Sequence, residues 1–393
     1  MEAYVIAGAR TAVGKFSGTL TNVSAMDLGA AVIQETLKRA SFPPDKVDEV
    51  IMGNVIQAGL GQNPARQAAV KGGVSQDTPA YTVNRVCGSG VLSVGLGAQA
   101  VAGGAAEMII AGGLENMSAA PYLVKAGRWG LRMGNGELVD AMLQDGLMDA
   151  FNQYHMGVTA ENVAKKFGVS RRDQDEFSVS SQEKAERAIK SGRFKDEIVP
   201  LNIPQPKGKT LIFDTDEFPR FGTTLEALAS LKPAFLPDGT VTAGNSSGIN
   251  DGAAAVGIVS KKKLAELKPS WAFQVLGYQA VGLDPAYMGL GPIGATKKLL
   301  AKLKLTINDL DLIEVNEAFA AQSVQVHREM GWDMAKVNVN GGAIALGHPV
   351  GASGTRIFIT LIFEMLKRDS NIGLATLCVG GGQGMAIAIQ RVR

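Results

Sequence analysis

The chain of 393 residues contains two similar halves, and this internal repeat restricts its fold more than any other feature of the sequence. AYVIAGARTAVG at residues 3–14 has a weak echo in AFQVLGYQAVG at 272–282. VDEVIMGNVIQ at 47–57 is echoed by LDLIEVNEAFA at 310–320, and each half continues with a glycine-rich turn, a helical pattern and a strand ending in glycines. The repeat is far longer than the roughly 20–50 residues of a solenoid unit, so the sequence predicts a duplicated domain.

Short runs rich in Val and Ile indicate the strands of an α/β protein. The runs are apolar at every position, as expected for strands covered on both faces. Helical patterns lie between them, and Ser24 and Ser170 each precede such a pattern with an aspartate three residues further on, which resembles a capping box. This alternation predicts an α/β fold. The predicted strands are 4–7, 50–52, 108–111, 253–259, 272–276, 312–315, 337–339, 374–379 and 385–389.

Comparison of the two halves also predicts domain boundaries. The first half would comprise residues 1–118 together with 243–268, and the second half residues 269–393. The intervening block, 119–242, matches neither half and contains a proline-rich stretch. Long insertions between sheet elements usually carry binding function, so this block is interpreted as a domain that covers the substrate.

Charge and composition exclude several classes of protein. The 39 basic and 37 acidic residues leave a net charge of +2, which gives no reason to expect nucleic acid or an anionic membrane as partner. Two cysteines and three widely separated histidines predict neither a disulfide scaffold nor a metal site. No secretory signal is recognisable, and the apolar runs are shorter than the ~20 residues of a membrane span. We therefore expect a soluble, cytoplasmic protein.

Cys87, in the segment NRVCGSG at 84–90, is a candidate nucleophile. It follows a strand-like segment and precedes a predicted buried helix at 91–102. A thiol at the N-terminus of a helix is expected to have a lowered pKa, and the flanking glycines would let a substrate approach closely. The alternative is a buried cysteine that acts only as a small apolar side chain.

His348 and Cys378 are predicted to lie near Cys87. His348, between Gly and Pro, occupies the loop of the second half that corresponds to the Cys87 loop of the first, and Cys378 ends an apolar strand. Equivalent loops of a duplicated fold meet across its pseudo-twofold axis, and ligands collect at the carboxyl ends of strands. This convergence is what thiol nucleophilic catalysis needs. Asn316 ends another strand, where its amide could position a water or a carbonyl, or could cap a helix at 317–330.

The sequence contains no complete nucleotide-binding motif and no serine-hydrolase motif. Residues 342–348 have the outer glycine spacing of a P-loop, but His348 stands where the lysine should be. No GxGxxG opens a helix after a strand, and no serine lies in a GxSxG elbow. The chemistry must therefore be sought in the cysteines and in His348.

Four segments resemble the signature blocks of the thiolase family. They are VCGSG at Cys87, NEAFA at Asn316, NVNGGAIALGHPVGASG around His348 and LCVGGGQG at Cys378. The resemblance covers the whole chain and includes GGLENMS and GTVTAGNSSG beside the insertion. It implies a thiolase fold, in which duplicated βαβαβαββ units form a layered αβαβα core with an inserted loop domain.

The resemblance also implies a two-step acyl transfer between thioesters. Cys87 would form the acyl-enzyme, and His348 would activate it. Cys378 would move the proton at the α-carbon of the second acyl group. His348 and a water held by Asn316 would form one oxyanion hole, and the backbone N–H groups of Cys87 and Gly380 the other.

Coenzyme A contacts are implied mainly in and after the insertion. No cofactor or metal is implied, because acetyl-CoA, acetoacetyl-CoA and CoA are substrates and products. Ser247 has a weaker independent case than Arg220, since NSSG could be only a turn. The implied contacts are Arg220 near the nucleotide, Ala243 and Ser247 along the pantetheine, and His155, Met156, Met288 and Phe319 at the acyl end.

Within the family, the pair His155–Met156 resembles the short-chain type, which acts on acetoacetyl-CoA. A degradative 3-ketoacyl-CoA thiolase of broader chain length is the alternative. A non-catalytic acyl-CoA-binding member would be expected to lack Cys87 or His348, and both are present. Family members are usually dimers of dimers, so a homotetramer is expected, with 128–132 as a plausible contact because Trp and Arg are enriched at interfaces.

Overall fold

A large mixed β-sheet that contains strands from both halves of the chain organises the fold. The computed structural model describes residues 2–393. Along the chain the strands are β1 (Ala3–Arg10), β2 (Gly14–Lys15), β3 (Glu49–Gly53), β4 (Ala80–Val83), β5 (Met108–Asn116), β6 (Tyr122–Leu123), β7 (Val139–Asp140), β8 (Leu201–Pro204), β9 (Thr210–Phe213), β10 (Asn250–Ser260), β11 (Phe273–Gly282), β12 (Leu312–Val315), β13 (Ile372–Val379) and β14 (Gln383–Arg391).

Helices cover the sheet on several sides. The α-helices are α1 (Ala25–Ala40), α2 (Pro64–Lys71), α3 (Ser89–Ala102), α4 (Met156–Phe167), α5 (Arg171–Lys190), α6 (Leu225–Ala229), α7 (Lys261–Leu267), α8 (Gly291–Leu303), α9 (Ala320–Met330), α10 (Ala343–Leu346) and α11 (Ser353–Arg368). The predicted helix starts are confirmed at Ser24, which accepts a hydrogen bond from the Asp27 N–H, and at Ser170, which forms a complete capping box with Asp173. None of the helices within 2–393 is both long and apolar enough to cross a membrane.

The order of the strands displays the duplication. The sheet runs β12-β13-β14-β11-β1-β10-β5-β3-β4, with β1 and β11 paired at its centre. Outward from this pair, β10, β5 and β3 are matched by β14, β13 and β12. The inner pairs are antiparallel in both halves, and the outer pairs are parallel. β10 follows the insertion in sequence and nevertheless lies between β1 and β5.

The predicted strand at 337–339 is wrong, although the other eight predicted runs lie in strands, apart from Ala272, which immediately precedes β11. This segment should correspond to β4, but it forms only an isolated parallel bridge between Ile313 and Val337. Asn338 has a φ of +42°, which interrupts an extended strand. Its side-chain amide accepts from the Val315 N–H and donates to the Val315 carbonyl, each at 2.8 Å, so a side chain replaces the backbone ladder.

The layers follow from three apolar clusters. One cluster lies on α1 and α2 against strands of the first half, and another on α8 and α9 against strands of the second half. Between them, α3 and α11 pack together against strands of both halves. The resulting order is helix, strand, helix, strand, helix, which is the αβαβα core that the resemblance implied.

Two glycines allow α3 and α11 to approach closely at their N-termini. A Cβ on Gly90 would lie 2.6 Å from the Thr355 nitrogen, and a Cβ on Gly354 would lie 2.5 Å from the Val91 nitrogen. Real Cβ atoms do not come this close, so these positions need glycine. The contact brings together the loops that precede the two helices, which carry Cys87 and His348.

A buried ion-pair cluster anchors the insertion to the sheet. The Arg10 guanidinium of β1 contacts Glu197 at 2.6 Å and Asp216 at 2.7 Å, and all three side chains are buried. Both acids belong to the insertion. Since an uncompensated buried charge is costly, each of these groups depends on the others.

Candidate active site

Three predicted catalytic side chains, which come from both halves of the chain, line one cavity, whereas Asn316 is not part of its lining. Cys87 lies between β4 and α3, His348 precedes α11, and Cys378 is near the end of β13. Most of the other lining residues are apolar. The lining comprises Val86, Cys87, Gly146, Leu147, Met156, Ser247, Met288, Ala318, Phe319, His348, Val350, Cys378 and Gly380.

A strained turn presents Cys87 to the cavity. Val86 has a φ of +44°, which is rare for a β-branched residue. The turn is held by the Asn84 side chain, which accepts from the Val86 N–H at 2.9 Å. Ser89 adds two bonds, since its hydroxyl accepts from the Arg85 N–H at 2.8 Å and donates to the Val86 carbonyl at 2.7 Å. Backbone strain that is held in this way is concentrated at functional sites.

The loop of His348 is held by groups from both halves. Its N–H donates to the Asn250 side-chain oxygen at 2.9 Å, and its Nδ1 lies 2.5 Å from the Ser353 hydroxyl. Gly347 has a φ of +99°, and a Cβ there would collide with Asn250. The imidazole is therefore buried and fixed in orientation, with Nδ1 engaged by α11.

Asn316 lies beside the imidazole and does not cap a helix. Its Nδ2 is 3.4 Å from both ring nitrogens of His348, and its buried Oδ1 has no hydrogen-bond partner. The helix that follows begins at Ala320, so the capping alternative is wrong. A free, buried acceptor at this point suits a bound water or a substrate group.

Burial keeps the two central groups neutral in the resting site. It raises the pKa of the Cys87 thiol to about 11, although hydrogen bonds from the N–H groups of Gly380 and Cys87 itself oppose the rise. The expected lowering by the helix N-terminus is therefore wrong, because desolvation is the larger effect. Burial, and secondarily the Arg356 charge, lower the pKa of His348 to about 3. Burial also raises the pKa of Cys378.

Alkylation of Cys87 should consequently depend steeply on pH. Because the thiolate is the nucleophile and the thiol has a raised pKa, the rate with iodoacetamide should rise about tenfold per pH unit between pH 7 and 10. The measurement is best made in a Cys378→Ser variant, in which Cys87 is the only cysteine. A rate that stays constant between pH 6 and 9 would instead indicate a preformed thiolate–imidazolium pair.

Only some of the residues expected to bind coenzyme A line the cavity. Met156, Ser247, Met288 and Phe319 line the cavity, and the Ser247 N–H donates to the Ala318 carbonyl at 2.9 Å, which ties this segment to the NEAFA loop. Ala243 is exposed and does not line the cavity.

His155 and Arg220 lie outside the cavity lining. The His155 imidazole caps α4 by accepting from the Gly157 N–H at 3.0 Å and stacks on Phe235 at 4.6 Å. Arg220 lies in a surface cleft with Lys15, Phe16, Glu217, Phe218, Pro219 and Ile249. This open position would suit the outer part of an extended substrate.

Sequence reasoning missed several residues that shape the cavity. Gly146 and Leu147 belong to a π-helical turn, Met142–Leu147, and such turns are frequent at functional sites. Glu115 does not line the cavity, but it is buried at the end of β5 and accepts from the backbone N–H groups of Val55 at 3.0 Å and Gly351 at 2.9 Å, and it thereby joins the two halves. Burial raises the pKa of Glu115 to about 7. A single acidic residue in the sequence does not indicate such a buried position, so Glu115 could not be predicted.

A metal centre was not expected, and no cluster of His, Cys, Asp or Glu within residues 2–393 has the geometry to hold a metal ion. The structure instead presents a thiol, an imidazole and a second thiol around an apolar cavity at the contact of two duplicated halves. This combination is suited to covalent acyl transfer through sulfur.

Comparison with family models identifies the class. Residues 3–262 match the thiolase N-terminal domain, and residues 270–391 match the thiolase C-terminal domain. The chain therefore belongs to the thiolase family.

Several similar proteins share one name. A Pseudomonas aeruginosa protein named acetyl-CoA acetyltransferase is 57% identical and is covered over 99% of both chains. A Cupriavidus necator protein of the same name is 56% identical over 99% of both chains, and one from Escherichia coli is 54% identical over 99% of this chain and 98% of the relative. The crystal structure of the Bacillus anthracis acetyl-CoA acetyltransferase matches with a TM-score of 0.97 at 42% identity, covering 100% of this chain and 99% of that one.

Proposed function

We propose that the protein is an acetyl-CoA C-acetyltransferase, which reversibly condenses two acetyl-CoA molecules to acetoacetyl-CoA and CoA. The observation that carries this proposal is the convergence of Cys87, His348 and Cys378 on one largely apolar cavity. The shared name of relatives more than half identical over the whole chain supports the same substrates.

Thiolysis of acetoacetyl-CoA would begin at Cys87. The neutral His348 imidazole takes the thiol proton through Nε2, and the sulfur attacks the 3-keto carbon. The backbone N–H groups of Cys87 and Gly380 hydrogen-bond to the Cys87 sulfur in the resting site. The same N–H groups can donate to the alkoxide oxygen that forms next to the sulfur. Cleavage of the bond between C2 and C3 leaves acetyl-Cys87 and the enolate of acetyl-CoA.

The enolate would be protonated by Cys378. Burial raises the pKa of this thiol, so at neutral pH it holds the proton that the α-carbon needs. The Nε2–H of the His348 imidazolium and a water on Asn316 can donate to the enolate oxygen. The His348 proton then restores the Cys378 thiol. CoA attacks acetyl-Cys87, and its proton passes through Nε2 to the departing Cys87 sulfur.

Acyl-chain length tests the assignment against a broader 3-ketoacyl-CoA thiolase. The bulky side chains of Leu147, Met156, Met288 and Phe319 crowd the cavity, so we expect fast thiolysis of acetoacetyl-CoA and little of 3-ketodecanoyl-CoA by the same preparation. Comparable rates would favour the broader enzyme. Turnover of neither substrate would overturn the enzymatic proposal and favour a binding protein.

A homotetramer is also proposed. Trp129, which is 80% exposed, lies with the exposed Tyr122, Leu131, Met133 and Leu138 on the segment that follows β5. Such an apolar segment is unusual on a monomer. β4 is moreover an edge strand of the main sheet and can pair with a second copy.

Analytical ultracentrifugation should show tetramers for the wild type and smaller species when Trp129 is replaced by glutamate. We expect this dissociation because a buried aromatic side chain at an interface contributes strongly to binding. A monomeric wild-type protein would contradict this proposal.

A cytoplasmic location is a further proposal. Both cysteines are free thiols, which supports it, and cell fractionation would check it.

A further inference from the structure

The first residue of α11, Ser353, contacts the imidazole that the proposed function uses as its base. Its side chain is fully buried, and its hydroxyl lies 2.5 Å from His348 Nδ1. We infer that Ser353 is a positioning residue, which holds the His348 proton on Nδ1 and so keeps Nε2 free to exchange protons with Cys87. This inference rests on the proposed role of His348.

The direction of the hydrogen bond follows from the second contact of the hydroxyl. Ser353 Oγ also lies 2.8 Å from the Pro349 carbonyl oxygen, which can only accept. We assign the single hydroxyl proton to the contact with Pro349, because without it two oxygen lone pairs would face each other at this distance. The hydroxyl oxygen is left as an acceptor, and the partner on the imidazole must be an Nδ1–H group.

The duplicated half of the molecule contains a similar arrangement, in which the serine bonds a carbonyl three residues earlier where Ser353 contacts one four residues earlier. Ser89 begins α3 as Ser353 begins α11. The Ser89 hydroxyl donates to the Val86 carbonyl at 2.7 Å and accepts from the Arg85 N–H at 2.8 Å. A backbone N–H can only donate, so the direction at Ser89 is unambiguous. In the second half an imidazole N–H takes the place of that backbone N–H.

The neighbouring amide fits the same tautomer. Asn316 Nδ2, 3.4 Å from both ring nitrogens, can donate and cannot accept. With a proton on Nδ1, Asn316 can donate to the unprotonated Nε2, although the equal distances by themselves do not select a tautomer. When His348 is protonated during the reaction, Ser353 continues to accept the Nδ1–H and stabilises the imidazolium. A hydrogen bond that holds the proton on one ring nitrogen of a histidine leaves the other ring nitrogen free to exchange protons.

Nitrogen NMR of the unmodified protein tests the inference directly. The chain contains three histidines, so ¹⁵N-histidine labelling gives few signals, and a His348→Asn variant assigns the relevant one. Two-bond nitrogen–proton couplings at pH 7 should show a protonated Nδ1 and an unprotonated Nε2. The Nε2–H tautomer would overturn the inference. This readout needs no substrate, so it can fail while the proposed function stands, and the reverse also holds.

Variants add a kinetic test with a matched control. Ser353→Ala should shift His348 towards the Nε2–H tautomer and lower the rate of thiolysis by about 10–100-fold, as loss of a hydrogen bond to a charged group predicts. Ser353→Thr keeps the hydroxyl and should restore much of the rate. In the control, Ser93→Ala removes an equally buried hydroxyl of α3 that lies within hydrogen-bond distance of the carbonyl oxygens of Gly90 and Gly112, and it should change neither the tautomer nor the rate of thiolysis.

Two results would contradict the positioning role. One is a Ser353→Ala protein whose histidine signals and thiolysis rate match those of the wild type. The other is a Ser93→Ala protein that loses as much thiolysis rate as Ser353→Ala, since the loss would then reflect general damage to helix packing. Should Ser353→Ala fail to fold, the wild-type spectrum and Ser353→Thr still decide the question.

Discussion

Replacing Cys87 by serine should lower the rate of acetoacetyl-CoA thiolysis by at least about 10⁴-fold, as removal of a catalytic nucleophile does in other acyl-transfer enzymes. The serine hydroxyl is far less acidic and less nucleophilic than the thiol, while its size is similar. Initial rates measure the loss. Intact-mass spectrometry after incubation with acetyl-CoA should show an acetyl group on the wild type and none on the variant.

The thermal unfolding temperature of the Cys87→Ser variant provides the control. It should remain near that of the wild type, because the substitution is nearly isosteric. A well-folded variant that still becomes acetylated, or that keeps its rate within tenfold, would assign the nucleophile to another residue.

The Cys378→Ala variant should separate the two halves of the reaction. Without a proton donor at the α-carbon, thiolysis and condensation should both fall by about 10²–10⁴-fold, which is the usual contribution of a general acid or base. Acetylation of Cys87 by acetyl-CoA involves no bond to the α-carbon and should persist. The exchange of labelled CoA into acetyl-CoA measures this step alone.

Equal losses of thiolysis and exchange in Cys378→Ala would contradict this division of roles. Such a result would mean that the second thiol acts on Cys87 itself, for example through packing, since both side chains line the same cavity. Cys378→Ser, which keeps a hydroxyl of similar size, distinguishes lost packing from a lost proton donor.

Much of the fold could be predicted from the sequence because the signals were local. Continuous apolar runs marked eight of the nine predicted strands, and Ser24 and Ser170 marked the starts of two helices. The failure at 337–339 has a long-range cause. Asn338 hydrogen-bonds Val315, which is 23 positions earlier in the chain, and no pattern within the segment indicates this exchange of side chain for backbone.

The candidate site was less fully predictable. The positions of Cys87, His348 and Cys378 followed from the repeat, and their common cavity agrees with that expectation. Their protonation did not follow. A helix N-terminus predicted a thiol with a lowered pKa, but burial raises the pKa of Cys87, and how deeply a turn is buried depends on elements far away in sequence.

The sequence by itself determined the duplication, the α/β class and the residues available for sulfur chemistry, because repeats, apolar periodicity and residue type are properties of the chain alone. Only the tertiary structure decided how closely the halves meet. Gly90 and Gly354 let α3 and α11 touch at their N-termini, and that contact places the Cys87 turn of one half beside the His348 loop of the other. The tertiary structure likewise decided the neutral state of both groups and the engagement of His348 Nδ1 by Ser353, since desolvation and hydrogen-bond direction depend on which atoms surround a group in space.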